Sequence, residues 1–237
     1  MILGIGIAFG GLGVGLALMG SAIRLGEHSP SLFLVSFWQS LKLALGASSV
    51  AMGLALLWVA VARIAPLRRL AWISAELPSG FSPLVLGLGF WILTMRWVDP
   101  FSGLLWLPAL ILGILATPLV FRQLEPHAEQ SPRAHHEIMR TLGASAWQRF
   151  WTIEWPRWPA LLFSVFGTTT ALSLGEVSLV SLFAGEGVSP VALEISRGMA
   201  RYRFEEAAVW SSCLGLSVLG ILAGASWLRQ SGRGIRR

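Results

Sequence analysis

Long apolar runs alternate with short basic stretches along this chain, and each run is about as long as a lipid hydrocarbon core is thick. A core of about 30 Å takes about 20 residues of apolar helix. Six segments fit. Span 1 is Ile2–Ile23, with no charge before Arg24, and span 2 is Leu43–Ala62, between Lys42 and Arg63. Span 3 is Ser79–Met95, between Glu76 and Arg96, and span 4 is Phe101–Phe121, between Asp99 and Arg122. Span 5 is Pro159–Phe183, which holds one acid, Glu176, and span 6 is Ala207–Leu228, between Glu206 and Arg229. The pattern predicts an all-α integral membrane protein with six transmembrane helices in a single domain covering residues 1–237. Span 3 is the shortest and contains Pro83, Gly87 and Gly89. Span 1 lacks a basic n-region and its apolar run is too long for a cleaved signal peptide, so it is read as a span.

Composition supports lipid as the main solvent. The chain is 54% hydrophobic and only 13% charged, against about 25% charged in an ordinary soluble domain. Too few charges are present to clothe a water-facing surface. The net charge of +6 would suggest nucleic acid in a soluble protein. Here the arginines sit between the spans, where they set orientation instead. Twelve fall on one side: Arg63, Arg68 and Arg69, then Arg122, Arg133, Arg140, Arg149 and Arg157, then Arg229, Arg233, Arg236 and Arg237. Five fall on the other: Arg24, Arg96, Arg197, Arg201 and Arg203. The richer side is expected in the cytoplasm, with both termini inside. Lys42 sits at the outer end of span 2 and can snorkel outward. Trp38, Trp210 and Trp227 lie near the expected interfaces. Gly6/Gly10 and Gly11/Gly15 recur at a spacing that lets membrane helices approach closely. The single cysteine, Cys213, excludes an intramolecular disulfide.

The loop between spans 4 and 5, residues 122–158, is much longer than a tight connection requires. It reads as helix, break, helix. Ser131-Pro132 is a plausible start, and Ile138, Met139 and Leu142 make one apolar face. Gly143 ends that helix cheaply. Ser145 can cap the next, which carries Trp147, Phe150 and Trp151 as a bulky stripe until Pro156 stops it. An amphipathic pair of this kind either lies flat on the inner leaflet or inserts into a groove on a cytoplasmic partner.

Within this loop Glu137, Gly143 six residues on, Ile153 and Pro156 stand without a gap at the spacing of the EAA motif. The loop thereby resembles the permease subunits of binding-protein-dependent ABC importers. Ile138 and Met139 replace the two alanines of the motif, and Trp155 replaces its leucine. Leu172–Glu176, Leu182–Glu186, Arg201–Val209 and Ser40–Ala44 resemble the C-terminal half of thiamine-type permeases, and iron(III) importer permeases share much of the pattern. Those thiamine permeases usually carry two six-span halves in one chain, so the resemblance implies a second permease half, identical or homologous.

The resemblance also implies a mechanism. The loop would be a coupling helix seated in a cleft of a cytoplasmic ATPase, and closure of two ATPase subunits on ATP would switch the spans from inward-open to outward-open. An external binding protein would release a small thiamine-like or iron(III)-like solute into them. Glu137, Gly143, Ile153 and Pro156 carry over, with Gly143, Ala144, Ser145 and Ala146 nearest the ATPase. Arg140 and Arg149 are plausible charge contacts. The protein would be a transport subunit of a bacterial inner membrane and no enzyme itself, with no cofactor and no nucleic acid among its partners.

Two further groups of residues are candidates for the pathway or its gate. Glu176 is the only acid well inside a span, and such a charge usually faces a cavity or a partner. At about 1.5 Å per residue it lies about 25 Å along span 5, in the outer third, and Ser173 of the same span is a further candidate. The outer loop between spans 5 and 6 contains Arg197, Arg201 and Arg203 with Glu186, Glu194, Glu205 and Glu206, and also reads as a solvated amphipathic helix. His135 and His136 point to different helix faces, so no metal site is expected. No catalytic arrangement is apparent, and Lys42 follows Leu41 and so is no Walker A lysine. Two rivals remain: a secondary transporter working without ATP, which would usually show intramembrane charge pairs, and a membrane scaffold.

Overall fold

The computed structural model describes residues 30–96, 105–129, 158–183 and 188–234. Span 1 and the loop residues 131–157 lie outside the described residues. Every regular element among the described residues is helical. These are α1 (Pro30–Ala62), α2 (Arg68–Glu76), α3 (Pro83–Thr94), α4 (Trp106–Glu129), α5 (Trp158–Leu174), α6 (Ser178–Leu182), α7 (Val191–Ala200) and α8 (Phe204–Gly234), with short 3-10 turns at Ala65–Leu67 and Leu77–Gly80.

Helix α1 is the central post. It has 33 residues and starts 13 residues before the expected Leu43. Its packing face is a stripe of small residues: Ser36, Ser40, Ala44, Ala47, Ser48, Ala51 and Ala55 are each no more than 3% exposed. Small side chains let backbones approach where lipid supplies no hydrophobic drive between helices. Helix α4 uses this stripe from one side. A Cβ on Gly113 would meet Val50 Cβ at 2.5 Å and the Ala47 carbonyl oxygen at 2.8 Å, and one on Gly46 would meet Ala109 Cβ at 3.2 Å. Residue pairs 46/109 and 50/113 advance together, so α1 and α4 run parallel. Helix α5 runs antiparallel to both. Thr170 Oγ1 bonds Ser48 Oγ at 2.9 Å, and further down Leu161 and Val165 join Ala55, Val59 and Phe121 in one cluster. Helix α8 closes on α5 where Gly167 faces Ala225.

Prolines and a network of paired charges move the helix ends away from those read in the sequence. Span 3 is not one straight helix. Helix α2 with the turn after it meets α3 at 97°, because Pro78, Gly80 and Pro83 cannot continue a helix through that corner. Helix α3 keeps 12 residues, about 18 Å, less than the bilayer core. Span 4 continues past Arg122 to Glu129. The charge does not end the helix because Glu76 accepts from Arg122 Nε at 2.7 Å, while buried Glu125 pairs with Arg68 at 3.6 Å. Span 5 is interrupted after Leu174 and resumes at Ser178. Span 6 begins at Phe204, three residues early.

Among the described residues, three helices are long and apolar enough to cross a bilayer: Phe33–Ala62, Trp106–Ala128 and Phe204–Trp227. The bent pair of α2 and α3 makes a fourth if taken as one span, and Trp158–Leu174 is a shorter apolar helix.

Candidate functional site

The break in span 5 creates the site. Helix α5 ends with Gly175 N–H donating to the Leu172 carbonyl and Glu176 N–H to that of Ser173. Helix α6 restarts two residues later. Its first amides would have no acceptor within the helix, and Glu176 supplies one: Oε1 accepts from Ser178 N–H at 3.1 Å and from Leu179 N–H at 3.4 Å. The expectation that Glu176 lies within a continuous span is therefore corrected. It sits in the gap between two helices and stabilises the second as its N-terminal acceptor.

A cavity of about 200 Å³ opens beside it. Pro83 closes one side. Leu112, Leu115, Ala116 and Leu119 of α4 line another, and Thr169, Leu172, Ser173 and Glu176 complete the wall. Ser173 and Glu176, both expected as pathway candidates, line this one cavity. Glu176 is its one ionisable lining residue and makes no ion pair among the described residues. The walls are otherwise apolar, with two hydroxyls. Such a surface can pass, hold or block a small solute.

Arg201 and Arg203 lie elsewhere, at the turn from α7 to α8. They line a smaller cavity of about 50 Å³ with Glu194, Gly198, Glu206 and Trp210. Arg203 pairs with Glu206 at 3.5 Å and Arg197 with Glu194 at 2.7 Å. The turn itself is a left-handed C-cap. Arg203 N–H reaches back to the Gly198 carbonyl and Tyr202 N–H to that of Met199, with Tyr202 at φ 59°. That position usually takes glycine. Here an 82% exposed tyrosine holds it, with its ring edge-on to Phe204 at 6.0 Å.

The two regions share a base. Leu193 of α7 packs in the same buried cluster as Leu179, Val180 and Phe183 around α6. Helix α1 anchors α7 directly: Ser40 Oγ accepts from Val191 N–H at 2.8 Å, and Gln39 Oε1 from Ser189 N–H at 2.7 Å. Sequence reasoning did not assign Gln39, Ser48, Thr170 or Glu125 to any site, and took Ser40 only as part of a shared pattern. The serines and alanines recurring every three or four residues from Ser36 to Ala55 were the available signal.

The expected coupling residues Glu137, Arg140, Gly143, Ala144, Ser145, Ala146, Ile153 and Pro156 lie outside the described residues. No group of three or more His, Cys, Asp or Glu able to hold a metal occurs among the described residues.

Comparisons with known proteins agree with this architecture. A thiamine transport system permease protein, ThiP of Haemophilus influenzae, is 33% identical over 107 residues, 45% of this chain and 20% of that protein. A chloroplastic sulfate permease of Chlamydomonas reinhardtii is 34% identical over 121 residues, 48% of this chain and 32% of that one. The sulfate transport system permease protein CysW of Synechococcus elongatus is 37% identical over 79 residues, 32% of this chain and 27% of that one. Each match thus spans a third or less of the relative's length. Among solved structures, an amino acid ABC transporter crystallised with histidines superposes with a TM-score of 0.69, covering 88% of this chain and 97% of that one at 17% identity. That likeness is one of fold. Residues 29–236 match the family described as binding-protein-dependent transport system inner membrane component, and the chain belongs to that family of ABC importer permeases.

Proposed function

We propose that this chain is a membrane-spanning permease subunit of an ATP-driven importer that moves a small solute delivered by an external binding protein. The family match over residues 29–236 carries this reading. In the proposal the chain crosses a bacterial inner membrane six times with both termini inside. It pairs with a second permease half, identical or homologous, and hydrolyses nothing itself. The loop 122–158 is the coupling element. Gly143, Ala144, Ser145 and Ala146 form the turn nearest a separate ATPase. Glu137, Ile153 and Pro156 complete the coupling motif in this reading, and Arg140 adds a charge contact.

The cavity beside Ser173 and Glu176 is the proposed passage, and the turn carrying Arg201 and Arg203 borders its outer mouth. A thiamine-like solute is favoured by the ThiP relative, and an iron(III)-like one by the shared motif pattern. The sulfate permeases among the relatives make an oxyanion a specific alternative. A secondary transporter would need no ATPase and is the reading the test excludes.

The test is co-expression with any ATPase that the neighbouring reading frames encode, followed by purification and reconstitution. Co-purification of the ATPase and loss of ATP-dependent uptake in Gly143→Trp, with expression preserved, support coupling through the loop. Transport that survives Gly143→Trp, without any associated ATPase, overturns it. Mass spectrometry of the ligand carried by the binding protein identifies the solute.

A further inference from the structure

Helix α2 is short, amphipathic and sharply bent away from α3. Its two ends pair with residues only three apart on α4, Arg68 with Glu125 and Glu76 with Arg122. Eight residues of helix advance about 12 Å, whereas three advance about 4.5 Å. Helix α2 is thus held at both ends to one turn of α4, Arg122–Glu125, and turns a corner of 97° into α3.

Its faces are sharply divided. Ala71 and Ala75 are fully buried, and Trp72 sets its ring edge-on against Phe121 at 5.1 Å. On the opposite side Leu70, Ile73 and Leu77 are 59%, 62% and 58% exposed. They recur at helical spacing and form one apolar row. Arg69 flanks that row, is exposed, and makes no ion pair among the described residues. Arg63 lies exposed at the end of α1 close by.

An apolar row bordered by arginine, on a helix at right angles to its neighbour, matches the chemistry of the boundary between acyl chains and headgroups. Arginine there attracts anionic lipid. We propose that α2 docks on the bilayer surface, with Leu70, Ile73 and Leu77 in the acyl region and Arg69, assisted by Arg63, binding an anionic phospholipid headgroup. The proposal goes beyond the transport reading and does not depend on how the 122–158 loop is coupled.

The test uses the full chain in nanodiscs, with Cys213→Ser as background and a fluorophore on Ile73→Cys. Discs contain brominated phosphatidylglycerol or brominated phosphatidylcholine at equal mole fraction. Quenching by the phosphatidylglycerol is expected to exceed that by phosphatidylcholine about twofold or more, and the excess is expected to vanish in Arg63→Gln/Arg69→Gln. Equal quenching by both lipids overturns the headgroup site. No quenching by either, or a disulfide-linked dimer through Ile73→Cys before labelling, shows protein on this face and overturns the docking altogether. Because Ile73→Cys could perturb the helix, native mass spectrometry of the otherwise unaltered chain provides a second reading. Retained phosphatidylglycerol, reduced at least twofold in Arg63→Gln/Arg69→Gln, is the expected result, and undiminished retention overturns the assignment.

Discussion

Ser40 Oγ accepts the Val191 N–H at 2.8 Å across 151 residues of chain, so the first amide of α7 is satisfied by the side of α1. Both groups are buried. Replacing Ser40 with alanine leaves a buried donor without an acceptor, which costs about 1–3 kcal/mol. We expect Ser40→Ala to lower the unfolding temperature in detergent. Ser49→Ala, which removes an exposed hydroxyl bonded within its own helix, should leave it nearly unchanged. Equal melting of the two variants would count against the anchoring role.

Gly113 is the closest approach of α4 to α1. An alanine methyl there would fall 2.5 Å from Val50 Cβ and 2.8 Å from the Ala47 carbonyl oxygen. Neither the backbone nor a β-branched side chain yields easily, so overpacking of about 1–3 kcal/mol is expected. Gly89 and Gly53 have nothing within 4 Å of an added methyl, and Gly89→Ala or Gly53→Ala should match or exceed the parent in thermal stability. A Gly113→Ala protein as stable as Gly53→Ala would mean that the two helices separate readily.

Thr170 and Ser48 bond across the α1–α5 contact at 2.9 Å. Interhelical hydroxyl bonds in membranes average only about 0.6 kcal/mol by double-mutant cycle. The cycle of Ser48→Ala, Thr170→Val and the double variant should return a coupling of that size. A larger value, above about 1.7 kcal/mol, would exceed the known range and point to a wider network.

Glu176 has a structural duty that can be separated from a transport duty. Glutamine keeps an oxygen able to accept from Ser178 and Leu179, whereas alanine does not. Glu176→Ala should destabilise by about 1 kcal/mol, as loss of a cap does, and Glu176→Gln by less. If the proposed passage needs the charge, uptake falls in Glu176→Gln at preserved stability. Uptake equal to the parent would remove the carboxylate from the passage and leave it as a cap.

Much of this was legible in the chain and some was not, for identifiable reasons. The apolar runs around Leu54, Leu112 and Leu216 announce membrane helices because nothing else tolerates such length. Their ends differ from the sequence expectation where a charged residue marks the boundary of an apolar run. Arg122 and Glu125 stay helical because Glu76 and Arg68 neutralise them from a distant segment, and local reading cannot see such a partner. The corner at Pro78–Pro83 was partly visible in its prolines and glycine. The break at Gly175 was harder, since one glycine among apolar residues is common in membrane helices. The anchoring by Gln39 and Ser40 was not legible, because it joins residues 150 positions apart.

Helix α1 has a mechanical consequence. Its 33 residues extend about 50 Å, about 20 Å more than a hydrocarbon core is thick. Unbroken by proline, it acts as a stiff mast, footed among Val59 and Phe121 and carrying Ser40 near its far tip. About 28 Å separates Val59 from Ser40, so a lean of about 5° at the foot swings Ser40 by about 2.5 Å. Helix α7 hangs from that tip by its opening amides. A tilt of the mast would thus carry α7 with it, because Ser40 and Gln39 hold the amides of Val191 and Ser189.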